Sequence, residues 1–300
     1  MSNYSSSKFK EDSNTPWYKV FNLIKDKQVV LDIGCSSGNF GKELIDQKHC
    51  TVDGVELNLD DARLAKKKLR KVFSFNIEEG APKELWGQYD VVCFGDVIEH
   101  LVNPVVALEN TKQLLKKNGK VVFSIPNMAH MSVRLMLLGG NFEYGETGLL
   151  DKTHLHFYDE KEVYRVFNEA SLNIDKIDYV RRDIPTDVLK RILATLGLKA
   201  DKSFIENSKK VNASAYQFIG ISSMSQKSDI KQRPKLSPAI NEMEQHIKYI
   251  KDVHAAQIKA HKKRINELES QVTRLSGELE GIKNNKGYKL LSKIASKKQN

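Results

Sequence analysis

The stretch Val29-Val30-Leu31-Asp32-Ile33-Gly34-Cys35-Ser36-Ser37-Gly38-Asn39-Phe40-Gly41 runs an apolar segment into a Gly/Ser turn and out into a new apolar pattern. Val29–Ile33 reads as a buried strand, and Phe40, Leu44 and Ile45 read as one face of the helix that follows. A strand, a glycine-containing loop and a helix in that order turn backbone N–H groups toward a ligand. Asp32 ends the strand at the edge where open α/β sheets bind their ligands.

Outward from this unit, strand and helix signals alternate. Pro16 opens a helix whose Trp17, Val20, Phe21 and Ile24 share one face. Thr51–Val55 is a second strand ending in Glu56, and Asp60 and Asp61 begin a helix closed by the basic cluster Lys66 to Lys71, acids and bases at the ends the helix dipole favours. Val72–Phe75 and the continuously apolar Tyr89–Phe94 are further strands. Asn103 and Pro104 start a helix that Gly119 is expected to close, and Lys120–Ile125 follows as the fifth strand. Residues 128–158 are irregular and rich in Met, Gly and His, which suits a lid over the sheet edge. Asp159 and Glu162 cap another helix, and Ile174–Val180 and Ala215–Ser222 read as final strands around a helical excursion, Thr186–Leu198. The alternation predicts a doubly wound, mostly parallel sheet.

The net charge of +10 over 300 residues is uneven. Residues 222–300 hold 17 Lys and Arg against 8 Asp and Glu, which leaves the first 221 residues at +1. A nucleic-acid partner is therefore not expected for the first domain, since phosphate contacts need clustered bases. The three cysteines, Cys35, Cys50 and Cys93, read as reduced thiols of a cytoplasmic protein. No apolar run approaches the ~20 residues of a membrane span.

The loop spacing narrows the ligand. Dinucleotide sites use G-x-G-x-x-G; here Gly34-Cys35-Ser36-Ser37-Gly38 lacks the second glycine and places the last one residue early, so a pyrophosphate is disfavoured. The segment instead resembles the first motif of the class I S-adenosylmethionine (SAM)-dependent methyltransferases, and the resemblance extends from Val29 to Ser222. It implies a Rossmann-like fold with a mostly parallel seven-stranded sheet. It also implies that Asp32, Gly34, Cys35, Ser36 and Gly38 form the cofactor loop, that Glu56 holds the ribose hydroxyls and Leu57 lies against adenine. Asn76 and Ile77 would meet the adenine edge, and Phe94, Gly95 and Asp96 the methionine moiety.

Asp96, Glu99 and His100 are spaced to share one helical turn, and Thr153-His154-Leu155-His156 adds imidazoles from the lid. This set resembles the E-x-x-E-H plus distal histidine of ubiquinone-pathway and small-RNA 2′-O-methyltransferases. The resemblance implies a divalent cation (Mg²⁺, Mn²⁺, Fe²⁺ or Zn²⁺) on Asp96, Glu99, His100 and His154. Two other readings stay open: His100 or His154 as general base, and bracing of the lid. His130 and His156 rank behind. Residues 148–158 are similar to a lid in bacterial methyltransferase domains associated with surface-polysaccharide and glycosyltransferase machinery, which implies a sugar hydroxyl in cell-surface glycan biosynthesis as the methyl acceptor. The alternatives are a small-RNA 2′-hydroxyl, a catechol-like small molecule, or a scaffold that binds SAM without turnover.

The expected organisation is a leader and helix over 1–28, the methyltransferase domain over 29–222, a linker over 223–239, a coiled coil over 240–283 and a basic amphipathic tail over 284–300. The heptads place Ile258, Ile265, Val272 and Leu279 at a, and Leu268, Leu275 and Ile282 at d, a frame that runs back through His261, His254, Ile247 and Ile240. A homo-oligomer follows from that seam. Tyr288, Leu291 and Ile294 among lysines suggest a foot on an acidic partner or on the inner face of a membrane.

Overall fold

The computed structural model describes residues 13–224, 248, 259, 261–278, 280 and 281. The chain forms two units, Met1–Arg233 and Pro234–Asn300.

The first unit is built on β1 (Val29–Ile33), β2 (Thr51–Val55), β3 (Lys71–Phe73), β4 (Tyr89–Gly95), β5 (Leu115–Pro126), β6 (Leu172–Arg181) and β7 (Ala215–Met224). They form one sheet in the order β3-β2-β1-β4-β5-β7-β6. The first five pair in parallel, and β7 inserts antiparallel between β5 and β6. The central strands are buried almost throughout, which is why they read as apolar runs rather than alternating ones.

The helices are α1 (Pro16–Leu23), α2 (Asn39–Lys48), α3 (Leu59–Ala65), α4 (Pro104–Leu114), α5 (Met131–Leu138), α6 (Glu160–Glu169), α7 (Thr186–Thr195), α8 (Lys202–Ser208) and α9 (Val211–Ser214). Local chemistry sets several starts: the side chains of Thr15, Asn58 and Asp159 accept from backbone N–H groups of α1, α3 and α6. One core lies on the α4/α6 side, around Phe94, Phe123 and Phe167. The other lies on the α1/α2 side, around Phe21, Leu44 and Ile219. A small third cluster joins α5 and α7 through Leu135, Leu189 and Leu193.

Three expectations change. The helix from Pro104 ends at Leu114, not before Gly119, and the chain passes straight into a long β5. A Cβ on Gly119 would lie 3.0 Å from the carbonyl oxygen of Tyr89, so the glycine serves strand packing instead of a helix stop. Asn103 makes no side-chain cap. The irregular stretch after Met128 contains α5, whose apolar run Met131–Leu138 lacks a clear polar face.

In the second unit, residues 261–278 are helical and exposed, with Ile265, Leu268, Val272 and Leu275 between 43% and 62% accessible. Among the described residues nothing packs on that seam. Ile240, Ile247, His254, Ile258, Leu279 and Ile282, the tail 284–300, most of the linker and most of the leader lie outside the described residues. No helix among the described residues is long and apolar enough to cross a membrane.

Candidate active site

The loop after β1 opens a cavity of about 320 Å³ at the carboxyl ends of β1, β4 and β5. Its walls include Asp32, Gly34, Cys35, Ser36, Gly95 and Asp96. Gly34 and Gly38 both have left-handed φ, +69° and +76°, and a Cβ on them would come within 2.7 Å of Val97 and 3.0 Å of Ala65. Only glycine meets both demands. Ser36, also left-handed, donates its N–H to Glu56 Oε2 at 2.8 Å, while Glu56 Oε1 accepts from Asn58 N–H at 2.8 Å. Glu56 thus fixes the loop from the end of β2.

Gly38, Glu56, Leu57, Asn76, Ile77 and Phe94 are not in the cavity wall. Leu57 is exposed, Ile77 and Phe94 are in the core, and Asn76 caps the short turn of helix over Ile77–Glu79. The cavity wall also includes Trp17 and Val20 from α1, Phe40, Asp61, Cys93 and Ser124. Trp17 packs edge-on to Phe40 at 5.6 Å. Its helical spacing marked it as a packing residue, and no sequence signal separates the two roles.

Burial, then the nearby Glu56, pushes the Asp32 carboxyl up to about 7. Burial likewise pushes the Cys35 and Cys93 thiols up, so these buried free cysteines are poor nucleophiles.

Asp96 has a left-handed φ of +54°. The helical turn expected to carry it begins only at Ile98, as a short 3₁₀ turn, Ile98–His100. The reversal aims its carboxylate back at the sheet: Oδ1 accepts from Ser124 Oγ at 2.6 Å and from Gln217 Nε2 at 2.9 Å. Burial raises its carboxyl, and those two hydrogen bonds oppose the rise. The expected four-ligand set therefore becomes three. Ligand atoms of Glu99, His100 and His154 lie within 4.8 Å of one another, and Asp96 stands outside that group on the cavity side.

Glu99 is 1% exposed and its Oε2 has no hydrogen-bond partner. Burial, then Asp96, holds its carboxyl well above the usual range. The His100 and His154 rings stand edge to face at 4.8 Å. His100 Nδ1 donates to Thr153 O and His154 Nδ1 to Leu149 O, both at 3.1 Å. A carbonyl only accepts, so each Nδ1 carries a proton and Nε2 is the nitrogen left for a ligand. Burial, then His100, lowers the His154 imidazolium, which keeps that ring neutral. A buried, unpartnered carboxylate oxygen beside two imidazoles with anchored outer nitrogens is a donor set that fits a divalent cation.

The lid holds this arrangement. Glu99 O accepts the N–H groups of Leu155 and His156, and His156 Nε2 donates to Val102 O. Phe142, with Tyr144 at 5.2 Å and Phe157 at 6.5 Å, forms an exposed aromatic rim. His130 is braced away from the triad, its Nε2 donating to Arg182 O.

Comparison with protein families matches residues 16–177 to one described as a methyltransferase domain, more than half of the chain. The chain belongs to this methyltransferase family. The Gly34–Gly38 loop, to which the sequence resemblance assigned SAM, borders the cavity described above. Among curated proteins it is similar to the ubiquinone biosynthesis O-methyltransferase of Escherichia fergusonii, 30% identical over 119 residues, 38% of this chain and 49% of the relative. The same enzyme of Escherichia coli is 29% identical over the same shares. The chain spans about half the length of the curated relatives it matches. A SAM-dependent methyltransferase structure from Archaeoglobus fulgidus superimposes with a TM-score of 0.50 at 18% identity, covering 72% of this chain and 96% of the other, and shares the fold.

Proposed function

We propose that the protein is an O-methyltransferase that activates an acceptor hydroxyl at Glu99, His100 and His154. The observation that carries this reading is the buried, unpartnered Glu99 Oε2 beside two imidazoles, next to Asp96 in the wall of the cofactor cavity. In the reaction the acceptor oxygen attacks the methyl carbon of SAM, its bond to sulfur breaks, and S-adenosylhomocysteine leaves. The acceptor's proton goes to a neutral imidazole, with His154 the better placed base because its ring stays unprotonated. In the alternative route, a divalent cation held by Glu99, His100 and His154 would occupy the His154 lone pair and lower the pKa of a bound hydroxyl in place of a base. Asp32 and Asp96 supply the anionic surroundings that a sulfonium prefers.

The acceptor we infer is a small hydroxylated aromatic molecule of catechol type. The similarity to ubiquinone biosynthesis O-methyltransferases supports it, as does the exposed aromatic rim of Phe142, Tyr144 and Phe157. A sugar hydroxyl is the second reading, supported by the lid sequence 148–158 that presents His154. The near-neutral charge of the first 221 residues disfavours RNA. The test is methyl transfer from SAM to a catechol and to a free glycan, read by mass spectrometry of the product. Methylation at carbon or nitrogen only would overturn the reading. The exposed seam Ile265, Leu268, Val272 and Leu275 supports a homo-oligomer through a coiled coil, and the Lys-rich tail supports docking on an acidic partner or a membrane surface.

A further inference from the structure

The proposed chemistry makes no use of Arg182 and Tyr216, which pack on each other beside the lid segment at Gly148. Arg182 follows β6 with its backbone pinned on both sides: its N–H donates to Ser214 O and its carbonyl accepts from His130 Nε2, each at 2.8 Å. Its guanidinium lies 3.9 Å from the centroid of the Tyr216 ring. His130 meets the same ring edge-on at 5.4 Å. A guanidinium stacked through its face keeps its N–H donors in the plane, free for a ligand. Neighbouring Arg181 is occupied, bonded to Ser214 Oγ and Lys209 O and paired with Asp183. Among the described residues, the Arg182 guanidinium has no hydrogen bond or ion pair, and the Tyr216 hydroxyl no hydrogen bond.

This pair connects to the reacting groups from two directions. Gln217, next to Tyr216, donates to Asp96 in the cofactor cavity. Tyr216 Oη lies 3.4 Å from where a side chain on Gly148 would begin, and the following residue, Leu149, anchors His154. A positive fork and a hydroxyl donor thus stand side by side at the lid segment that carries His154.

We propose that Arg182, seated on Tyr216, binds an anionic group of the acceptor, a carboxylate or a phosphate, and selects acidic acceptors over neutral ones. The proposal rests on the O-methyltransferase reading. A planar guanidinium grips either oxyanion with two parallel hydrogen bonds, and the Tyr216 hydroxyl can donate a third.

The experiment uses the full chain with SAM and three probes: protocatechuate as the carboxylate, a catechol phosphomonoester, and the neutral protocatechuamide. The expected result is a kcat/KM for at least one acidic probe roughly 10- to 100-fold above the amide, carried by KM. The two acidic arms tell which anion is preferred. Arg182→Gln should erase the gap by raising KM for the acid, and Arg182→Lys should restore it only in part. A gap that survives Arg182→Gln overturns the proposal, as does an equal loss on acid and amide. If no probe is methylated, the catechol reading fails by itself. Calorimetric binding of the same probes to protein loaded with S-adenosylhomocysteine then decides the Arg182 question, and equal or undetectable binding of acid and amide overturns it.

Discussion

Leu155 donates its backbone N–H to the carbonyl oxygen of Glu99 at 2.8 Å, and His156 adds a second at 3.1 Å. The residue with the buried, unpartnered carboxylate oxygen is also the residue on which the lid is hung. Positioning of the reacting groups and closure of the lid therefore share one peptide unit.

Glu99→Gln removes the ionisable carboxyl, and with it the proton exchange and the anionic ligand it could supply, while keeping shape and the backbone contact. Turnover is expected to fall by roughly 10²–10⁴-fold, the range of a lost acid–base or ligand contribution. Thermal stability should hold or rise, because a buried carboxyl without a partner is costly to desolvate. Steady-state kinetics and calorimetric melting check both; unchanged turnover would remove Glu99 from the reaction.

SAM affinity should depend on pH through Asp32. Its folded carboxyl is pushed up to about 7, against about 3.9 when unfolded. Between those values the native state holds a proton that the unfolded chain has lost, so this group's contribution to apo stability declines as pH rises. The SAM sulfonium favours the carboxylate, so binding should strengthen as pH rises toward and through 7, by up to about tenfold per unit. A flat profile in titration calorimetry, or one unchanged in Asp32→Asn, contradicts this.

His154 works in the opposite sense. Its folded pKa lies below the unfolded value, so above about 6.5 both states are neutral and its contribution is complete. As pH falls, the unfolded chain protonates first and stability is lost. His154→Asn should flatten the acid limb of a stability-versus-pH curve below about 6.5.

Divalent metal binding should be measurable in equilibrium dialysis with Mn²⁺ or Zn²⁺, at one site per chain, and lost in His100→Ala or His154→Ala. Thr153→Ala should leave binding largely intact, because the Thr153 carbonyl that anchors His100 Nδ1 remains. Equal metal content in wild type and His154→Ala would place any ion elsewhere.

Gly38→Ala is expected to cost about 1–3 kcal/mol of stability, since φ is +76° and the new Cβ would sit 3.0 Å from Ala65 Cα. Chemical denaturation measures it, and the loss should exceed that of Gly87→Ala, whose left-handed position faces open space.

The sheet was readable because parallel strands buried on both faces leave continuous apolar runs such as Val29–Ile33 and Val91–Phe94. The loop was readable because Gly34 and Gly38 meet steric demands that few other sequences satisfy. Asp96 was misplaced for an equally physical reason: a left-handed φ at a non-glycine residue has no sequence signature, and it converts an expected helical ligand into a partner of Ser124 and Gln217. Trp17, Asp61 and Ser124 reach the cavity, and Gln217 reaches Asp96, only through strand order and helix placement, which spacing along the chain does not encode. Helix α4 stopped early because β5 extends backward to pair Leu115 with Tyr89, a contact between distant segments.

The insertion of β7 between β5 and β6 also sets a timetable. β5 and β6 are joined only through β7, residues 215–224, so a growing chain carries the loop, Asp32 and Glu99 well before the sheet can close. Gln217, which fastens Asp96, arrives with that last strand. The catalytic pocket is thus completed at the end of translation of the domain, and a nascent chain halted before residue 215 would hold the cofactor loop beside an Asp96 still missing one of its two side-chain donors.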